Sequence, residues 1–512
     1  MSISKNNNIT QIHETIYKHC AISPDKIAII CGERKYSYKE LWDHVKAVGR
    51  WLSNHYTKES RVGLMLENSF ETVCFIYGAS LAGMISVPLD ANIHTNNLSY
   101  ILKDCSLSLI VALKKHIPKL QQTEDIQNCQ VLINDDEDVL NKELRPSFNE
   151  QDHFDEIHLA HQDRVVSILY TTGTTGIKKG VMLGHKNLLA GSRNICEFMQ
   201  MDSEIVESLS MPLSHSFGYA RLRSVIDVGG TCIIHNGLLH PERVLNNMKI
   251  YQANALSLVP QGFAILLDFY KKQFEKIASQ IKWIEIGSAF MRKSHKVLLM
   301  DLCPNALICM HYGLTEASRS AFIEFHSERT HLHTVGRPSP QINIRIVDKT
   351  SKDVEAENTG EIIIKGDTVM QGYWNKEDLT KQTLHDDWLQ TGDIGFIDSH
   401  GYVHLLGRRE EIINIGGLKV APSEVEEILL KYKGIVEVAV TGVKSSDDIT
   451  GNVIKAYVVT DDPLLDLKKV EQFCLENMEP YKVPAMIKKV DSLPKTSSGK
   501  IQRHLISNED AK

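Results

Sequence analysis

The sequence lacks several features that would assign the chain to a common protein class. Its 512 residues include ten cysteines, but these are scattered and form no C-x-x-C pair. This spacing argues against a disulfide framework or a zinc site and is typical of thiols in a reducing compartment. The net charge of −7 arises without a long block of one sign. We therefore expect no nucleic-acid partner, because such a partner usually requires a basic patch.

Long apolar runs are also missing. The most apolar stretch, Thr72 to Leu89, is interrupted by Gly78, Gly83 and Pro88. It is a poor candidate for a membrane-spanning helix and is better interpreted as a buried helix that leads into a strand. The first residues, Met1 to Thr10, are polar and rich in asparagine, with no apolar signal segment. We therefore expect no membrane span and a cytoplasmic location.

The distribution of apolar residues predicts more than one structural unit. A chain of 512 residues is too long for a single ordinary core. Through the first four hundred residues, helical periods alternate with short apolar runs such as Lys26–Ile30 and Val62–Met65, which predicts mixed α/β layers. After about Thr334 the pattern changes to strands and turns. A last unit begins past residue 408, with a helix opening at Pro422 and a strand over Ile435–Val440, which predicts a small α+β domain.

The segment from Tyr170 to Gly180 is a candidate phosphate-binding loop. It follows an apolar strand and contains four threonines, three glycines and two lysines. Glycines let backbone N–H groups approach phosphate oxygens, hydroxyls donate further hydrogen bonds, and lysine adds positive charge. The segment does not have the GxxxxGK[ST] spacing of a Walker A loop, which argues against a P-loop NTPase. A flexible connector is the alternative, but paired lysines among so many hydroxyls favour phosphate binding.

Further segments could complete a nucleotide site. Gly287-Ser288-Ala289 follows an apolar run, as a strand end that opens onto a ligand would. Tyr312 to Glu316 supplies a ring for stacking, a hydroxyl and a carboxylate able to hold Mg²⁺ against phosphates. Thr391-Gly392-Asp393 and Gly407-Arg408 could bind ribose or phosphate. Each segment alone is more often an ordinary turn or a surface ion pair.

A lysine near the end of the chain extends this series. The stretch from Pro494 to Arg503 places Lys500 in a loop of small residues. A basic C-terminal tail is the alternative, but the occurrence of all these segments in one order favours a shared site. Their order and spacing, from Asp25-Lys26-Ile27-Ala28 near the N-terminus to Arg503, resemble the acyl-adenylate-forming superfamily. This superfamily includes acyl-CoA synthetases, stand-alone adenylation enzymes and luciferase-like enzymes.

The resemblance implies an α/β and α+β multidomain fold. Residues 1–408 would form the N-terminal domain that binds ATP and the acid, with mixed sheets layered with helices and a β-rich subdomain. Residues 409–512 would form a mobile C-terminal domain that carries the catalytic lysine and turns at a hinge, Glu410. Catalytic roles fall on Lys500, Thr315, Glu316 and His215, and Glu316 would bind Mg²⁺. The implied nucleotide-binding residues are Thr171, Thr172, Gly173, Thr174, Thr175, Gly176, Lys179, Ser288, Ala289, Tyr312, Thr315, Asp393, Arg408 and Lys500.

The segment from Pro212 to Gly218 resembles the acid-pocket segment of acyl- and aryl-CoA synthetases, where His215 would line or gate the pocket. A lone histidine is more often structural. The segment contains no aspartate, and a buried ammonium without a carboxylate partner is costly, so a free α-amino acid is disfavoured. A fatty, aryl or other simple carboxylic acid is left as the substrate. The implied acid-pocket residues are His215, Ser216, Gly218, Tyr219, Gly287, Gly313 and Ser318.

The acyl acceptor is less well defined by the sequence. In the resemblance, the segment Ile415 to Lys419 forms a channel for a thiol, in which Gly416 and Gly417 let a pantetheine arm pass and Lys419 supplies charge. These glycines could equally shape a turn before the Pro422 helix. Coenzyme A and the phosphopantetheine of a carrier protein acting in trans both fit, and the sequence does not predict the oligomeric state.

The predicted function is ATP-dependent activation of a carboxylic acid to an acyl-AMP, with release of pyrophosphate and acyl transfer to a thiol, coenzyme A first. Loading of a separate carrier protein is the main alternative. A catalytically silent nucleotide- or acyl-binding protein is disfavoured by the intact Glu316, Asp393, Arg408 and Lys500. A kinase or motor-type ATPase is disfavoured by the missing Walker loop.

Overall fold

The computed structural model describes most of the chain as two compact units, and for Thr172 and Lys444 it describes the backbone only. The first unit comprises Met1–Leu332, Gly336–Asn343 and Ile364–Leu389, and the second comprises His333–Val335, Ile344–Ile363 and Gln390–Lys512. The described residues are 9–134, 162–172, 178–415, 418–444, 452–495, 501–503 and 505–506.

Helices occur in both units, with α1 to α12 in the first and α13 and α14 in the second. Several begin at a side chain that accepts a backbone N–H. Ser37 and Glu40 form a reciprocal capping box at the start of the second helix, and Ser69 caps the third. The helices are α1 (Glu14–Ile22), α2 (Tyr38–His55), α3 (Phe70–Leu81), α4 (Thr95–Cys105), α5 (Ile117–Gln121), α6 (His185–Phe198), α7 (Ser216–Asp227), α8 (Pro241–Ile250), α9 (Pro260–Phe269), α10 (Lys271–Ala278), α11 (Lys293–Leu302), α12 (Glu377–Thr383), α13 (Pro422–Leu429) and α14 (Leu467–Asn477).

The strands are short, and most are buried. They are β1 (Ile27–Cys31), β2 (Arg34–Ser37), β3 (Arg61–Met65), β4 (Ile85–Pro88), β5 (Leu109–Ala112), β6 (Gln130–Ile133), β7 (Val165–Thr172), β8 (Lys178–Gly184), β9 (Val206–Leu209), β10 (Thr231–Ile234), β11 (Ala255–Leu258), β12 (Trp283–Ile286), β13 (Leu307–Tyr312), β14 (Ala321–Glu324), β15 (Arg337–Pro338), β16 (Asn343–Val347), β17 (Gly360–Lys365), β18 (Gly372–Tyr373), β19 (Leu384–His385), β20 (Trp388–Ile397), β21 (Val403–Arg408), β22 (Ile413–Ile415), β23 (Leu418–Val420), β24 (Ile435–Lys444), β25 (Asn452–Thr460) and β26 (Met486–Lys489).

The first unit contains two large sheets. The nine-stranded sheet has the order β15-β14-β13-β12-β11-β9-β10-β1-β2 and is parallel from β13 to β1, with antiparallel strands at its edges. The seven-stranded sheet has the order β18-β8-β7-β4-β3-β5-β6 and is parallel from β7 to β6. Parallel strands need crossover connections, and helices such as α3, α4, α7, α8 and α11 lie on those connections. The carboxyl ends of several strands therefore share one edge in each sheet, where ligands commonly bind.

The second unit combines strands from two stretches of the chain, Ile344–Ile363 and Gln390–Lys512. Residues of β16, β17, β20 and β21 form one sheet, in which β20 and β21 are antiparallel. Farther along the chain, β24, β25 and β26 form a three-stranded sheet that packs with α13 and α14 around a small apolar core. The apolar face of α13, with Val425 and Leu429, is buried in that core. This part, the small α+β layer, combines α-helices and β-strands around one core, which is the α+β composition that the sequence predicted.

The fold-class prediction is confirmed by this architecture. The stretch from Thr72 to Leu89 forms the buried helix α3 followed by the buried strand β4, as predicted. The strand predicted over Ile435–Val440 is present as part of β24, and the helix predicted at Pro422 is α13. Among the described residues, no helix combines the length and apolar character needed to cross a membrane. The boundary between residues 408 and 409 stays a prediction.

Candidate active site

The candidate phosphate loop is carried by a hairpin of the seven-stranded sheet. Strands β7 and β8 are antiparallel, with Thr171 paired with Lys179 and Thr172 paired with Lys178. The hairpin base is fixed by the Tyr170 hydroxyl, which donates to Asp104 Oδ2 at 2.6 Å. Residues Gly173, Thr174, Thr175 and Gly176 lie outside the described residues, as does the Thr172 side chain.

The structure brings this hairpin next to the Tyr312 to Glu316 segment. Lys179 Nζ lies 5.5 Å from the centroid of the Tyr373 ring. The Tyr373 hydroxyl in turn donates to Glu316 Oε1 at 2.9 Å. Strand β18, which carries Tyr373, pairs with β8, and the Trp374 N–H donates to the Gly180 carbonyl at 2.8 Å. Two segments that the sequence predicted to share a site are therefore connected through Tyr373, a residue that sequence reasoning missed.

The Glu316 carboxylate could serve as a protein ligand for a magnesium ion whose other ligands come mainly from a substrate. One of its oxygens is positioned by Tyr373, and its backbone carbonyl accepts the Met370 N–H at 2.8 Å. Within the described parts of the chain, no three His, Cys, Asp or Glu side chains cluster as a metal site. Mg²⁺ is commonly bound by one or two carboxylates together with substrate phosphates and water. A single oriented carboxylate beside a phosphate loop matches that pattern.

The candidate adenine-binding residues lie at neighbouring strand ends. Strands β12 and β13 are parallel partners, so Gly287 and Ser288 follow one strand next to the end of the other, where Tyr312 lies. Ser288 has a φ of +75° and is exposed, whereas Tyr312 is buried. A non-glycine residue held in the left-handed region is commonly found at a ligand site. Ala289 is half-buried beside Ser288, so the predicted adenine group is brought together.

His215 precedes α7 and is half-buried. Burial lowers the pKa of His215, the charge of Asp90 raises it, and Lys178 of the hairpin lowers it. Burial likewise lowers the pKa of Lys178, and Asp90 opposes this shift. The charges of Asp90 and of Lys178, which begins β8, both act on the His215 imidazole. That His215 lines or gates the acid pocket stays a prediction.

Three of the predicted acid-pocket residues, Ser216, Gly313 and Ser318, lie next to Arg319, which the sequence did not single out. The Arg319 Nη1 donates to the Ser216 carbonyl and to Ser318 Oγ, both at 3.3 Å. A Cβ on Gly313 would lie 2.6 Å from the Arg319 backbone nitrogen, so glycine permits this close approach. A Cβ on Gly218 would overlap the Pro212 carbonyl, which holds α7 against the preceding turn. Sequence reasoning missed Arg319 because an arginine outside a motif is usually a surface residue.

Tyr219 and Gly287 occupy different settings. Tyr219 is fully buried, and its ring packs 4.2 Å from the Arg223 guanidinium carbon. Such complete burial is typical of a packing role. Gly287 is also buried, and a Cβ there would overlap the His311 ring. The absence of a side chain at Gly287 is therefore required by the neighbouring strand.

In the second unit, Asp393 and Arg408 are direct partners on β20 and β21. Arg408 Nε lies 2.9 Å from Asp393 Oδ1, and Arg408 Nη1 donates to the Thr391 carbonyl at 2.7 Å. Asp393 is only 4% exposed, and its backbone N–H donates to Thr391 Oγ1 at 3.0 Å. The structure therefore holds the two predicted ribose residues together in an ordered ion pair.

The other predicted residues of the second unit lie near its surface or outside the described residues. Glu410 is exposed in a turn just after β21, and Lys419 is exposed on β23 opposite Asn414. The predicted residues that lie outside the described part of the chain are Gly416, Gly417 and Lys500.

The residues on both sides of Lys500 are anchored to this unit. Lys495 and Ile501 form an antiparallel bridge, and Lys495 Nζ lies 2.6 Å from Glu437 Oε1. Arg503 makes a bidentate contact with Glu426 at 2.8 and 2.9 Å and lies 3.1 Å from Glu411. The segment that carries Lys500 therefore begins and ends at fixed points of the small α+β layer.

Comparisons with known proteins cover almost the whole chain. The family model described as AMP-binding enzyme matches residues 16–374, and the model described as AMP-binding enzyme C-terminal domain matches residues 424–500. A long-chain-fatty-acid–CoA ligase of Bacillus subtilis is 31% identical over 95% of this chain and 92% of that protein. A 2-succinylbenzoate–CoA ligase of Bacillus licheniformis is 29% identical over 94% of this chain and 97% of that protein.

The fold is similar to that of solved enzymes. The crystal structure of ATP-bound MatB from Rhodopseudomonas palustris is 25% identical in sequence, with a TM-score of 0.87 and coverage of 98% of both chains. The family predicted from the order of the motifs is confirmed. On the match of the first family model to well over half of its length, the chain belongs to the AMP-binding enzyme family.

Proposed function

We propose that this chain is an AMP-forming acid–thiol ligase that converts a carboxylic acid to its coenzyme A thioester through an acyl-AMP. The observation that carries the proposal is the contact series from Lys179 through Tyr373 to Glu316, which sets a cation and a carboxylate beside the phosphate hairpin. Relatives named as CoA ligases support the same activity. Kinase chemistry has no comparable support.

The first half-reaction joins the acid to AMP. A carboxylate oxygen attacks the α-phosphorus of ATP in line, a new O–P bond forms, and the bond to the bridging oxygen breaks to release pyrophosphate. Since little covalent chemistry falls to the protein, its contribution is positioning and charge stabilisation. Lys179 and the backbone of the β7–β8 hairpin hold the triphosphate, and Glu316 holds Mg²⁺. When bound, Mg²⁺ neutralises charge that develops on the departing pyrophosphate.

Two groups of residues are proposed to orient the nucleotide. Ser288, Ala289 and Tyr312 frame the adenine at the ends of β12 and β13. Asp393 accepts hydrogen bonds from the ribose hydroxyls, and Arg408 fixes the direction of its carboxylate through the 2.9 Å contact.

Lys500 brings the two anionic reactants together by bridging the acid oxygen and the α-phosphate. At an effective dielectric constant near 20 and about 4 Å, one such charge contact is worth on the order of 4 kcal/mol. If it forms fully in the transition state, its loss slows adenylation by roughly a thousandfold.

The second half-reaction transfers the acyl group to a thiol. The thiolate attacks the acyl carbonyl carbon, a C–S bond forms, and AMP leaves with the oxygen that joined it to the acyl group. Lys500 has to leave for the thiol to enter, so we assign residues 409–512 to a domain that turns at Glu410. Gly416, Gly417 and Lys419 then line the channel for the pantetheine arm. A carrier protein in trans would present the same thiol, and we place the enzyme in the cytoplasm.

An exchange assay tests the proposal. Radiolabelled pyrophosphate should enter ATP only when an acid is added, because adenylation is reversible and requires the acid. ADP formation would instead indicate a kinase, and no turnover with any fatty, aryl or amino acid would indicate a binding protein. Thioester formation from the active acid, measured with coenzyme A and with a phosphopantetheinylated carrier protein in parallel, separates the two acceptors.

A further inference from the structure

A set of buried charged side chains lies between β12, β13, β14 and α7 in the first unit, and nucleotide binding does not account for it. All of its members are at most 9% exposed. Charged side chains are seldom buried unless they are paired, so a set of this size has a structural or functional reason. This buried charge cluster consists of Glu207, Arg221, Glu285, His311 and Arg319.

Glu285 is the centre of the buried charge cluster. Its Oε1 lies 3.0 Å from Arg319 Nε and 2.7 Å from His311 Nδ1, and its Oε2 lies 3.2 Å from Arg221 Nη1. Arg221 Nη2 also contacts Glu207 Oε2 at 2.7 Å. Burial by itself raises the pKa of Glu285, but Arg319 and His311 outweigh it and hold the pKa below its ordinary value. The cluster is therefore a set of matched charges in the protein interior.

Arg319 connects this cluster to the candidate acid pocket. Besides Glu285, its guanidinium donates to the carbonyls of Ser216 and Phe217 at 3.3 and 3.2 Å, and to Ser318 Oγ at 3.3 Å. Its φ of +54° is in the left-handed region, which a bulky side chain adopts only when its surroundings hold it. One side chain thus connects strand β12, the start of α7 and the turn after Glu316.

The space behind Gly287 and Gly313 is filled by the same group of residues. The His311 ring packs against Gly287 where a Cβ would be, and the Phe217 ring lies 4.9 Å from the His311 ring in an edge-on contact. Phe217 also lies 4.9 Å from the Arg319 guanidinium carbon. An acid that enters between Gly287 and Gly313 therefore meets packed aromatic and charged side chains directly behind them.

The packed side chains behind Gly287 and Gly313 discriminate between acids of different chain length. A short or aryl acid ends before the buried charge cluster. A long alkyl chain that displaced Arg319 or Glu285 would leave the other charged side chain buried without its partner. A long chain that displaced neither would pack its methylenes against charged groups that cannot reach water. Neither arrangement provides the apolar contacts that make a long chain bind well.

Resting on the proposed function, we propose that the Glu285–Arg319 pair is a specificity-determining device that closes the inner end of the acid pocket and restricts the enzyme to short or aryl carboxylic acids. It differs in this respect from the long-chain activity named for one relative. Arg319 acts as a positioning residue, through Ser216 and Ser318, and does not touch the reacting atoms.

The first test uses the unmodified chain. Acid-dependent pyrophosphate exchange is measured with straight-chain acids from acetate to hexadecanoate and with benzoate as the aryl probe. We expect kcat/KM to fall by about tenfold or more between the best short or aryl acid and dodecanoate. Equal or better use of dodecanoate and hexadecanoate would overturn the proposal. Exchange with none of these acids would mean that the proposed function itself is wrong, and the specificity inference with it.

The second test removes the pair without stranding a charge. In the Glu285→Leu, Arg319→Met double variant, Arg221 keeps its contact with Glu207. We expect kcat/KM for dodecanoate to rise relative to that for butanoate by about tenfold, mainly through KM, because the pocket gains an apolar extension. An unchanged ratio in a folded double variant would contradict the proposal.

Two controls separate specificity from general damage. The matched surface change, Arg345→Met with Asp353→Leu, removes an exposed pair with a 2.6 Å contact and should leave the chain-length profile unchanged. The conservative variant Arg319→Lys keeps the charge but cannot reach Glu285, Ser216 and Ser318 together. Arg319→Lys should keep the preference for short acids while kcat falls. If Arg319 had only a structural role, kcat/KM for all acids would instead fall together with the melting temperature.

Discussion

At the scale of single residues, the candidate metal site depends on how one carboxylate is oriented. The Tyr373 hydroxyl fixes Glu316 Oε1 at 2.9 Å, and Lys179 Nζ lies 5.5 Å from the centroid of the Tyr373 ring. A carboxylate held in this way keeps its direction before the substrate arrives, so less ordering is needed when Mg²⁺ and the phosphates bind.

The first prediction separates the roles of these two side chains. Glu316→Gln removes the anionic ligand, and we expect acid-dependent exchange to fall by about a hundredfold or more, with a higher Mg²⁺ requirement. Tyr373→Phe keeps the ligand but loses its orientation, so the loss should be smaller, about tenfold. The measurement is a Mg²⁺ titration of exchange, with Glu275→Gln on exposed α10 as control. A Glu316→Gln enzyme with normal Mg²⁺ dependence would contradict the assignment.

The sequence predicted one half of this arrangement and missed the other. Glu316 belongs to a motif of five consecutive residues, so the sequence alone indicates its chemistry. Tyr373 lies far along the chain and reaches Glu316 only because β18 pairs with β8. Arg319 is close in sequence, but its complete burial depends on Glu285. Long-range pairing and burial of charge are tertiary properties that no local pattern contains.

At the scale of elements, the contact between β12 and β13 sets the shape of the strand end. Ile286 is opposite Met310, so Gly287 faces His311 in the next pair along the two strands. The His311 ring fills the position that a side chain at Gly287 would take and contacts Glu285 at 2.7 Å. The packing of His311 against β12 therefore affects the geometry of the candidate adenine segment that begins at Gly287.

The second prediction tests this coupling with a double-mutant cycle. Gly287→Ala forces a methyl group into the His311 ring and should lower the free energy of unfolding by about 1–3 kcal/mol, with loss of exchange. His311→Ala creates the missing room, so the double variant should be more stable than the sum of the single changes predicts. Unfolding in urea measures each variant. Gly191→Ala in α6 is the control, since its nearest neighbour would be 3.9 Å away; additive single effects would show that the two residues do not interact.

The sequence allowed individual strands to be predicted, but it did not allow their order in the sheets to be predicted. The run Val62–Met65 lies in β3, and the run Lys26–Ile30 overlaps β1, because short apolar runs between helices form buried strands. The order of the nine-stranded sheet, in which β1 lies beside β10, brings together segments about two hundred residues apart. Such pairings depend on how helices pack on both faces, which the periodicity of one segment does not specify.

At the scale of the whole molecule, the composition of the second unit explains the change in pattern after Thr334. That unit takes strands from Ile344–Ile363 and from the chain after Gln390, which is why strand-like alternation begins well before residue 408. The predicted boundary is a functional one, placed where a rotation would occur, and it does not have to coincide with the limits of a compact unit. Glu410 lies in an exposed turn, where backbone angles can change at small cost.

The last prediction concerns the two half-reactions. The segment with Lys500 begins at Lys495 and ends at Ile501 and Arg503, all held by the small α+β layer, so we expect the lysine to follow any movement of that layer. Lys500→Ala should slow adenylation by roughly a thousandfold, measured as pyrophosphate exchange. Thioester formation from supplied acyl-AMP should stay close to the unmodified rate, because the proposed rotation removes the lysine from the site before that step. Lys489→Ala, an exposed change on β26, should affect neither step. If Lys500→Ala slowed both steps equally, one fixed arrangement would serve both reactions, and the need for a rotating domain would disappear.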